Sequence, residues 1–324
     1  MIHESKLTKI NLYDKLNAAF VNLITPEMPE LNKIRKKNKY NAKRPTFDKP
    51  LPMPLETVQI DGVSIRMASS VVGQNKPTIV FLSAFPHTIL AYAPVWNQLK
   101  ENFNLYAYDM PGFGASAIKK EYMTFEFQGK FLNTFLQHFA IEASHLVGPD
   151  VGMAAVLTYV GNYDHAIKSL MIGDGPGVYP SADASVMKKM VFSSFWRFSF
   201  VVAGHGALVE SAKNICNVKY VPNRYEMSDY KRAYKGKVGY NMEWFKRYPQ
   251  SVPKLDASLA RITTATKIFW GENDAILYKE NATLLHDKMP NSTVEIFENC
   301  GHFVYQDDYL KFAKMVQEWV EKHD

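Results

Sequence analysis

The chain predicts an α/β fold: a mostly parallel, doubly wound sheet with an inserted helical segment. Three observations predict it. From about residue 55, short apolar runs alternate with stretches of helical periodicity, as in strands joined by crossover helices. Between Pro176 and about Pro253 the strand signal vanishes and aromatic and basic residues dominate, after which strands return. At His145 to Ala155 a short apolar strand, a tight turn and a small-residue helix start follow one another, with Gly148 and Gly152 flanking Asp150.

The boundaries follow. Residues 1–54 read as an N-terminal extension and arm, 55–176 and 254–324 as the α/β core, and 177–253 as the inserted helices. In the extension, Leu12, Leu16, Ala19, Phe20 and Leu23 recur at helical spacing and predict one amphipathic helix packed on the domain surface, with a membrane-lying or partner-binding role as the alternative. Pro26, Pro29, Pro45, Pro50, Pro52 and Pro54 mark an extended arm.

In the core, Thr57–Ile60 and Val63–Met67 form a hairpin around Asp61-Gly62. Thr78–Leu82 is uniformly apolar, as expected of a strand covered on both faces. Asn104–Tyr108 is the next strand, with Asp109-Met110-Pro111-Gly112-Phe113-Gly114 as its exit loop. A helix from Thr124 to Phe139 turns Phe127, Phe131, Leu132 and Phe135 inward, and the strand leading to Asp150 follows. Ser169–Ile172, Thr266–Trp270 and Thr293–Phe297 are the remaining strands, and a helix from Tyr309 to Val320 closes the chain.

Composition narrows the classes. The 324 residues are 47% hydrophobic, enough for one large domain. Much of the net charge of +6 sits in the run Lys33–Lys39, read as a solvated basic linker, so no nucleic-acid partner is expected. The two cysteines, Cys216 and Cys300, make no disulfide framework and fit a reducing, cytoplasmic setting. Glu4 interrupts the first residues, so no signal peptide is expected, and no apolar run reaches the roughly 18 residues of a transmembrane helix. No metal site or cofactor is expected.

The chemistry concentrates in three loops. Gly148-Pro149-Asp150-Val151-Gly152 is the G-x-S-x-G nucleophile elbow with aspartate in place of serine. Backbone crowding at such a turn demands small neighbours and thrusts the central side chain outward. Trp270-Gly271-Glu272-Asn273-Asp274 ends one late strand, and Asn299-Cys300-Gly301-His302-Phe303 follows the last. The order Asp150, Asp274, His302 is that of nucleophile, acid and base, and loops at the carboxyl ends of strands converge on one crevice. Asp174 is the rival charge partner for His302.

These segments resemble the α/β-hydrolase fold superfamily, and within it the aspartate-nucleophile branch of epoxide hydrolases and haloalkane dehalogenases. The resemblance rests on the elbow, on Asp109–Ser116, on Trp270–Asp274 and on Gly301-His302, and runs from about residue 55 to the C-terminus. Ser83-Ala84-Phe85-Pro86 stands where the family has His-Gly-Phe-Pro or His-Gly-Asn-Pro, with Trp96 downstream. The inserted helices then correspond to the family's lid.

A carboxylate is a competent nucleophile for displacement at saturated carbon, forming an alkyl ester on Asp150. His302, oriented by Asp274, would activate water to hydrolyse that ester. The backbone N–H groups of Phe85 and Val151 are the oxyanion-hole candidates. The aromatic lid implies a small apolar electrophilic substrate.

Departures from the family shape the choice. Dehalogenases carry Trp after the nucleophile and often Asn in the early loop; here Val151 and Phe85 stand there. Epoxide hydrolases use lid tyrosines to protonate the opening oxygen, and the segment holds Tyr220, Tyr225, Tyr230, Tyr234, Tyr240 and Tyr248, with His205. Phe245 occupies the position where the family has one such tyrosine, leaving Tyr240, Tyr248 or His205 as the acid. The resemblance therefore implies an epoxide hydrolase-like enzyme. Haloalkane dehalogenase-like hydrolysis, or non-catalytic binding of an apolar ligand on the same scaffold, are the alternatives. A homodimer is left open.

Overall fold

The computed structural model describes residues 7–73, 75–163 and 166–324. Its centre is an eight-stranded sheet in the order β1-β2-β4-β3-β5-β6-β7-β8. β1 (Leu55–Ile60) and β2 (Val63–Ser70) form the expected hairpin, and β2 pairs antiparallel with β4 (Asn104–Tyr108). β3 (Thr78–Leu82), β5 (Ala143–Pro149), β6 (Ala166–Gly173), β7 (Thr266–Gly271) and β8 (Ser292–Phe297) continue in parallel. The fold class read from the sequence is therefore the one observed. β3 lies at the centre, and Ile79 through Leu82 are buried, which is why its sequence is apolar without alternation.

The connecting helices are α3 (Ala93–Leu99), α4 (Phe125–His138), α5 (Val151–Val160), α11 (Glu280–Lys288), α12 (Val304–Asp307) and α13 (Tyr309–His323). Thr124 caps α4 by accepting from the Phe127 N–H. α5 is apolar all round and buried along its length, as a helix sandwiched against sheet and neighbours must be. Between β6 and β7 run α6 (Ser185–Phe192), α7 (Ser194–Cys216), α8 (Arg224–Ala233), α9 (Val238–Lys246) and α10 (Tyr248–Asp256). Gly204 (φ 85°, ψ 171°) breaks α7 into two differently directed halves, a conformation open to glycine and strained for other residues.

The N-terminal extension differs from its expectation twice. It holds two helices, α1 (Leu12–Leu23) and α2 (Met28–Lys37), because Pro29 falls in the first turn of α2, where a missing N–H costs nothing. The run Lys33–Lys39 is accordingly not a solvated linker throughout. Arg35 is buried and donates to the carbonyl oxygens of Asn214 and Asn217 at the end of α7. The second difference is the orientation of α1. Its apolar residues Leu12, Leu16, Phe20 and Leu23 face outward, while Asp14, Ala18 and Val21 are buried. Asp14 pairs with Lys231 of α8, and Gly206 on α7 has no side chain to obstruct the Asp14 carboxylate. The Asp14–Lys231 pair, with Ala18 and Val21 packed beside it, holds this helix down in place of the leucine stripe.

Candidate active site

The turn between β5 and α5 sets the site. Asp150 adopts φ 51° and ψ −126°, a region that costs a non-glycine residue about 1–3 kcal/mol. Its N–H donates to the Gly173 carbonyl (2.9 Å), tying the turn to the end of β6. A Cβ on Gly148 would lie 2.8 Å from the Gly152 carbonyl oxygen, and one on Gly152 would press on Leu82 of β3. The two glycines thus allow α5 to start directly beneath its own strand. Asp150 makes no side-chain cap to α5, so its carboxylate is directed elsewhere.

That carboxylate meets two groups. Oδ2 accepts the backbone N–H of Phe85 at 2.6 Å. Oδ1 lies 3.8 Å from His302 Nε2. On its other side, His302 Nδ1 is 2.8 Å from Asp274 Oδ2. Asp274 Oδ1 accepts from the N–H groups of Ile276 (2.8 Å) and Leu277 (3.1 Å), which fixes the carboxylate against the imidazole. Asp150, His302 and Asp274 thus stand in one line, all buried, with a hydrogen bond between Asp274 and His302 and ion-pair proximity between His302 and Asp150. Burial works against a charged imidazole, but Asp274 and Asp150 outweigh it and hold the His302 pKa well above its ordinary value.

Asp174 takes no part in that line. Its Oδ1 accepts from the Gly271 N–H (3.0 Å), and burial, then the charge of Asp274, drive its pKa well up. The family-divergent Ser83 is a local brace whose Oγ accepts the Met110 N–H (3.0 Å). Asp109 shapes the β4 exit loop, accepting from the N–H groups of Ile89 (2.7 Å) and Ala115 (2.8 Å). Trp270 is core, its ring N–H donating to the Leu277 carbonyl (2.8 Å).

Above the carboxylate is a cavity of about 50 Å³. Asp150, His302, Phe85 and Pro86 form its floor; Met187, Phe200, Ile215, Cys216 and Phe245 are among its apolar walls. Phe245 does stand over Asp150, so the position where the family has a tyrosine supplies no hydroxyl here. Two of the wall residues not singled out in the sequence bear on the chemistry. Val21 reaches in from α1, and Ser211 brings a buried hydroxyl with no hydrogen-bond partner. A lone serine in a helix, and a valine some 130 positions from the elbow in sequence, carry no local signal.

The candidate acids separate clearly. Tyr240 lies on the surface, 43% exposed. His205 sits near Lys231, Asp14 and Lys235, away from the cavity; burial first and those lysines next lower its pKa. Tyr234 spends its hydroxyl on the His87 carbonyl and the Gly114 N–H. Tyr220 donates to Glu226, Tyr230 accepts from Gln306, and Tyr225 accepts from Arg224. Tyr248 is buried against Phe245 (5.5 Å between ring centroids), and its hydroxyl accepts from Trp244 Nε1 at 3.0 Å. Burial, and then the charge of Asp150, raise its pKa well above the ordinary phenol value, so its proton stays on.

Among the described residues no cluster of His, Cys, Asp or Glu could hold a metal, and no helix is long and apolar enough to cross a membrane. Comparison with known proteins agrees with the architecture. The chain is 23% identical over 257 residues to monoacylglycerol lipase ABHD6 of Rattus norvegicus, covering 76% of each. Among solved structures it superposes on a membrane phospholipase A described as a bacterial virulence factor (TM-score 0.71, 20% identity, 95% of this chain and 96% of that one). It also superposes on the epoxide hydrolase CorEH (TM-score 0.71, 15% identity, 84% and 99%). The family described as alpha/beta hydrolase fold matches residues 77–309, and the chain belongs to it.

Proposed function

We propose that this hydrolase uses Asp150 as a nucleophile toward saturated carbon and that its substrate is a small apolar epoxide. The observation that carries the reading is the division of labour between the two carboxylate oxygens. Oδ2 is occupied by the Phe85 N–H, while Oδ1 is left facing His302 and the cavity.

Oδ1 attacks an epoxide carbon, the carbon–oxygen bond of the ring breaks, and the released oxygen takes a proton from a lid hydroxyl. We assign that hydroxyl to Tyr248, packed behind the cavity wall at Phe245, so that Phe245 must turn aside for the transfer, with Ser211 hydrogen-bonding the same oxygen from the cavity wall. The product of this step is a hydroxyalkyl ester whose carbonyl oxygen is Oδ2, still beneath the Phe85 N–H. Esterification removes one of the two negative charges that raise the His302 pKa, so the pKa falls and the neutral imidazole is at hand when a proton acceptor is needed. His302 Nε2 then deprotonates water, which attacks Cγ. The oxyanion forms on Oδ2, where the Phe85 N–H and, from the first residue of α5, the Val151 N–H stabilise it. Collapse breaks the Cγ–Oδ1 bond, the leaving alkoxide takes the proton from His302, and the water proton left on the Asp150 carboxyl returns to the Tyr248 phenolate. A donor of this kind is worth about 3 kcal/mol of barrier.

The name of the ABHD6 relative points to acyl chemistry. A carboxylate attacking an ester carbonyl would form a mixed anhydride, more reactive than the ester it came from, so aspartate at the elbow favours displacement at saturated carbon. The halide reading lacks support from its two indole candidates. Trp244 Nε1 is bonded to Tyr248, and Trp196 lies in the outer groove between α1 and α7. The test is mass spectrometry of the His302→Gln protein after exposure to a panel of terminal epoxides and alkyl halides. An adduct on Asp150 from an epoxide supports the reading. No adduct from any of them leaves the scaffold a binder and overturns it.

A further inference from the structure

The outer surface of α1 is unusual for a protein surface. Leu12, Leu16, Phe20 and Leu23, spaced four, four and three apart, are between 53% and 83% exposed. They form one stripe along the helix. Beside it, Phe192 at the end of α6 and Phe195 and Phe198 on α7 are each 67% exposed, with Val201 and Val202 continuing the second stripe. The two stripes run together: the Tyr13 hydroxyl donates to the Val202 carbonyl (3.3 Å), and a groove of about 280 Å³ between them is lined by Phe20, Phe195, Trp196 and Phe198. Contiguous apolar surface of this kind marks an interaction site.

Charge selects the partner. The only acid in α1 is Asp14, which is turned inward onto Lys231. From Ser185 to Val209 there is no acidic residue, whereas Lys15, Lys188, Lys189 and Arg197 are basic. Tyr13 and Trp196 add the amphipathic rings favoured at a membrane–water boundary. Asp183 faces Lys188 and Glu27 holds the Ser185 N–H at the start of α6, but along the stripes themselves the charges are basic, which is complementary to an anionic lipid surface, where buried apolar area and electrostatic attraction act together.

We propose that the outer stripes of α1 and of the first half of α7 are a docking face for the surface of an anionic bilayer. Val21 and Phe200 line both the groove and the cavity above Asp150, so they form the wall between lipid and active site. An apolar substrate dissolved in the bilayer then reaches the cavity past that wall without crossing water. This last step rests on the reading of Asp150 as the nucleophile; the docking itself does not.

Flotation of the full chain with phosphatidylcholine vesicles containing phosphatidylglycerol tests it. The wild-type protein floats with them at low salt and is released as salt rises. Leu16→Glu and Phe198→Glu, both at exposed positions, each weaken partitioning by at least about tenfold with unchanged circular dichroism. Leu310→Glu, an equally exposed apolar residue on α13, leaves partitioning intact. The other four tryptophans are buried, so fluorescence from the half-buried Trp196 shifts to the blue on vesicle addition. Asp150→Ala floats like the wild type, which separates docking from catalysis. The proposal is overturned if the wild-type chain stays unbound, if Leu310→Glu weakens binding as much as Leu16→Glu, or if the stripes prove to join two copies of the chain. Sedimentation velocity would show the last as a dimer, dissociated by Leu16→Glu, that ignores vesicles.

Discussion

The Phe85 N–H donates to Asp150 Oδ2 at 2.6 Å, which under the proposed mechanism holds the oxygen destined to be the ester carbonyl beneath its donor before substrate arrives. No reorganisation is then required when charge develops there, which is the source of the catalytic benefit. In the proposed mechanism the oxygen that attacks is the one that leaves with the product. In a single turnover in heavy-oxygen water, the first diol released is expected to carry unlabelled oxygen from Asp150, and label enters only from the second turnover. Mass spectrometry of product at excess enzyme checks this; label in the first product would mean direct attack by water.

The proposed mechanism requires His302 for only half of the reaction. His302→Gln is expected to form the ester on Asp150 and stall, with steady-state turnover down by about 10³-fold or more. Stopped-flow tryptophan fluorescence would separate the surviving burst from the lost turnover.

Asp274 acts through the imidazole. Asp274→Asn is expected to slow ester hydrolysis by about 10²–10⁴-fold, because the imidazole loses both its orienting acceptor and the charge that raises its pKa. The pH profile of the hydrolysis step should shift toward acid in this variant. An Asp174→Asn change should leave that profile in place, since Asp174 bonds the Gly271 N–H and not the imidazole.

Gly175 lies against the elbow from the neighbouring strand end. A Cβ there would collide with the Asp150 carbonyl and sit 2.8 Å from Met153 Cβ. Gly175→Ala is expected to destabilise the fold by about 1–3 kcal/mol in urea titrations and to lower turnover by displacing the carboxylate.

His87 supplies an acid-sensitive contribution to stability. It is buried beside Phe303 and Tyr230, with Nδ1 2.9 Å from the Tyr305 hydroxyl. Burial, and then the like charge of His302, push its pKa down to about 3. The unfolded chain takes up this proton below the ordinary histidine pKa of about 6.5, whereas the folded chain does not until about 3, so stability falls as pH drops through that window. Asp109 at about 6 and Glu226 at about 7, both raised by burial, act with the opposite sign. The wild-type minus His87→Gln difference isolates the histidine: between pH 7 and 5 the wild type should lose about 2 kcal/mol more, read from urea midpoints.

Much of the fold was legible because its elements announce themselves locally. Val147, Gly148, Asp150 and Gly152 spell a turn that admits one geometry, and Thr78–Leu82 is apolar without alternation because β3 is covered on both faces. The three loops bearing Asp150, Asp274 and His302 could be expected to converge because strand ends in a parallel sheet share an edge. The lid acid was not legible. Tyr240 and Tyr248 are alike in sequence, and only packing puts one at the surface and buries the other behind Phe245.

What the amino-acid sequence by itself determined is the order of strands and helices, the strained elbow and the chemical identity of its carboxylate. Tertiary structure alone decided which oxygen of Asp150 is held and which is free, that Ser211 and Val21 reach the cavity, and that α1 turns its leucines outward. The reason is physical. Periodicity records that a helix has an apolar side, but whether that side meets protein, water or lipid depends on what Asp14 finds across the interface, and its partner Lys231 lies 217 positions away in the chain.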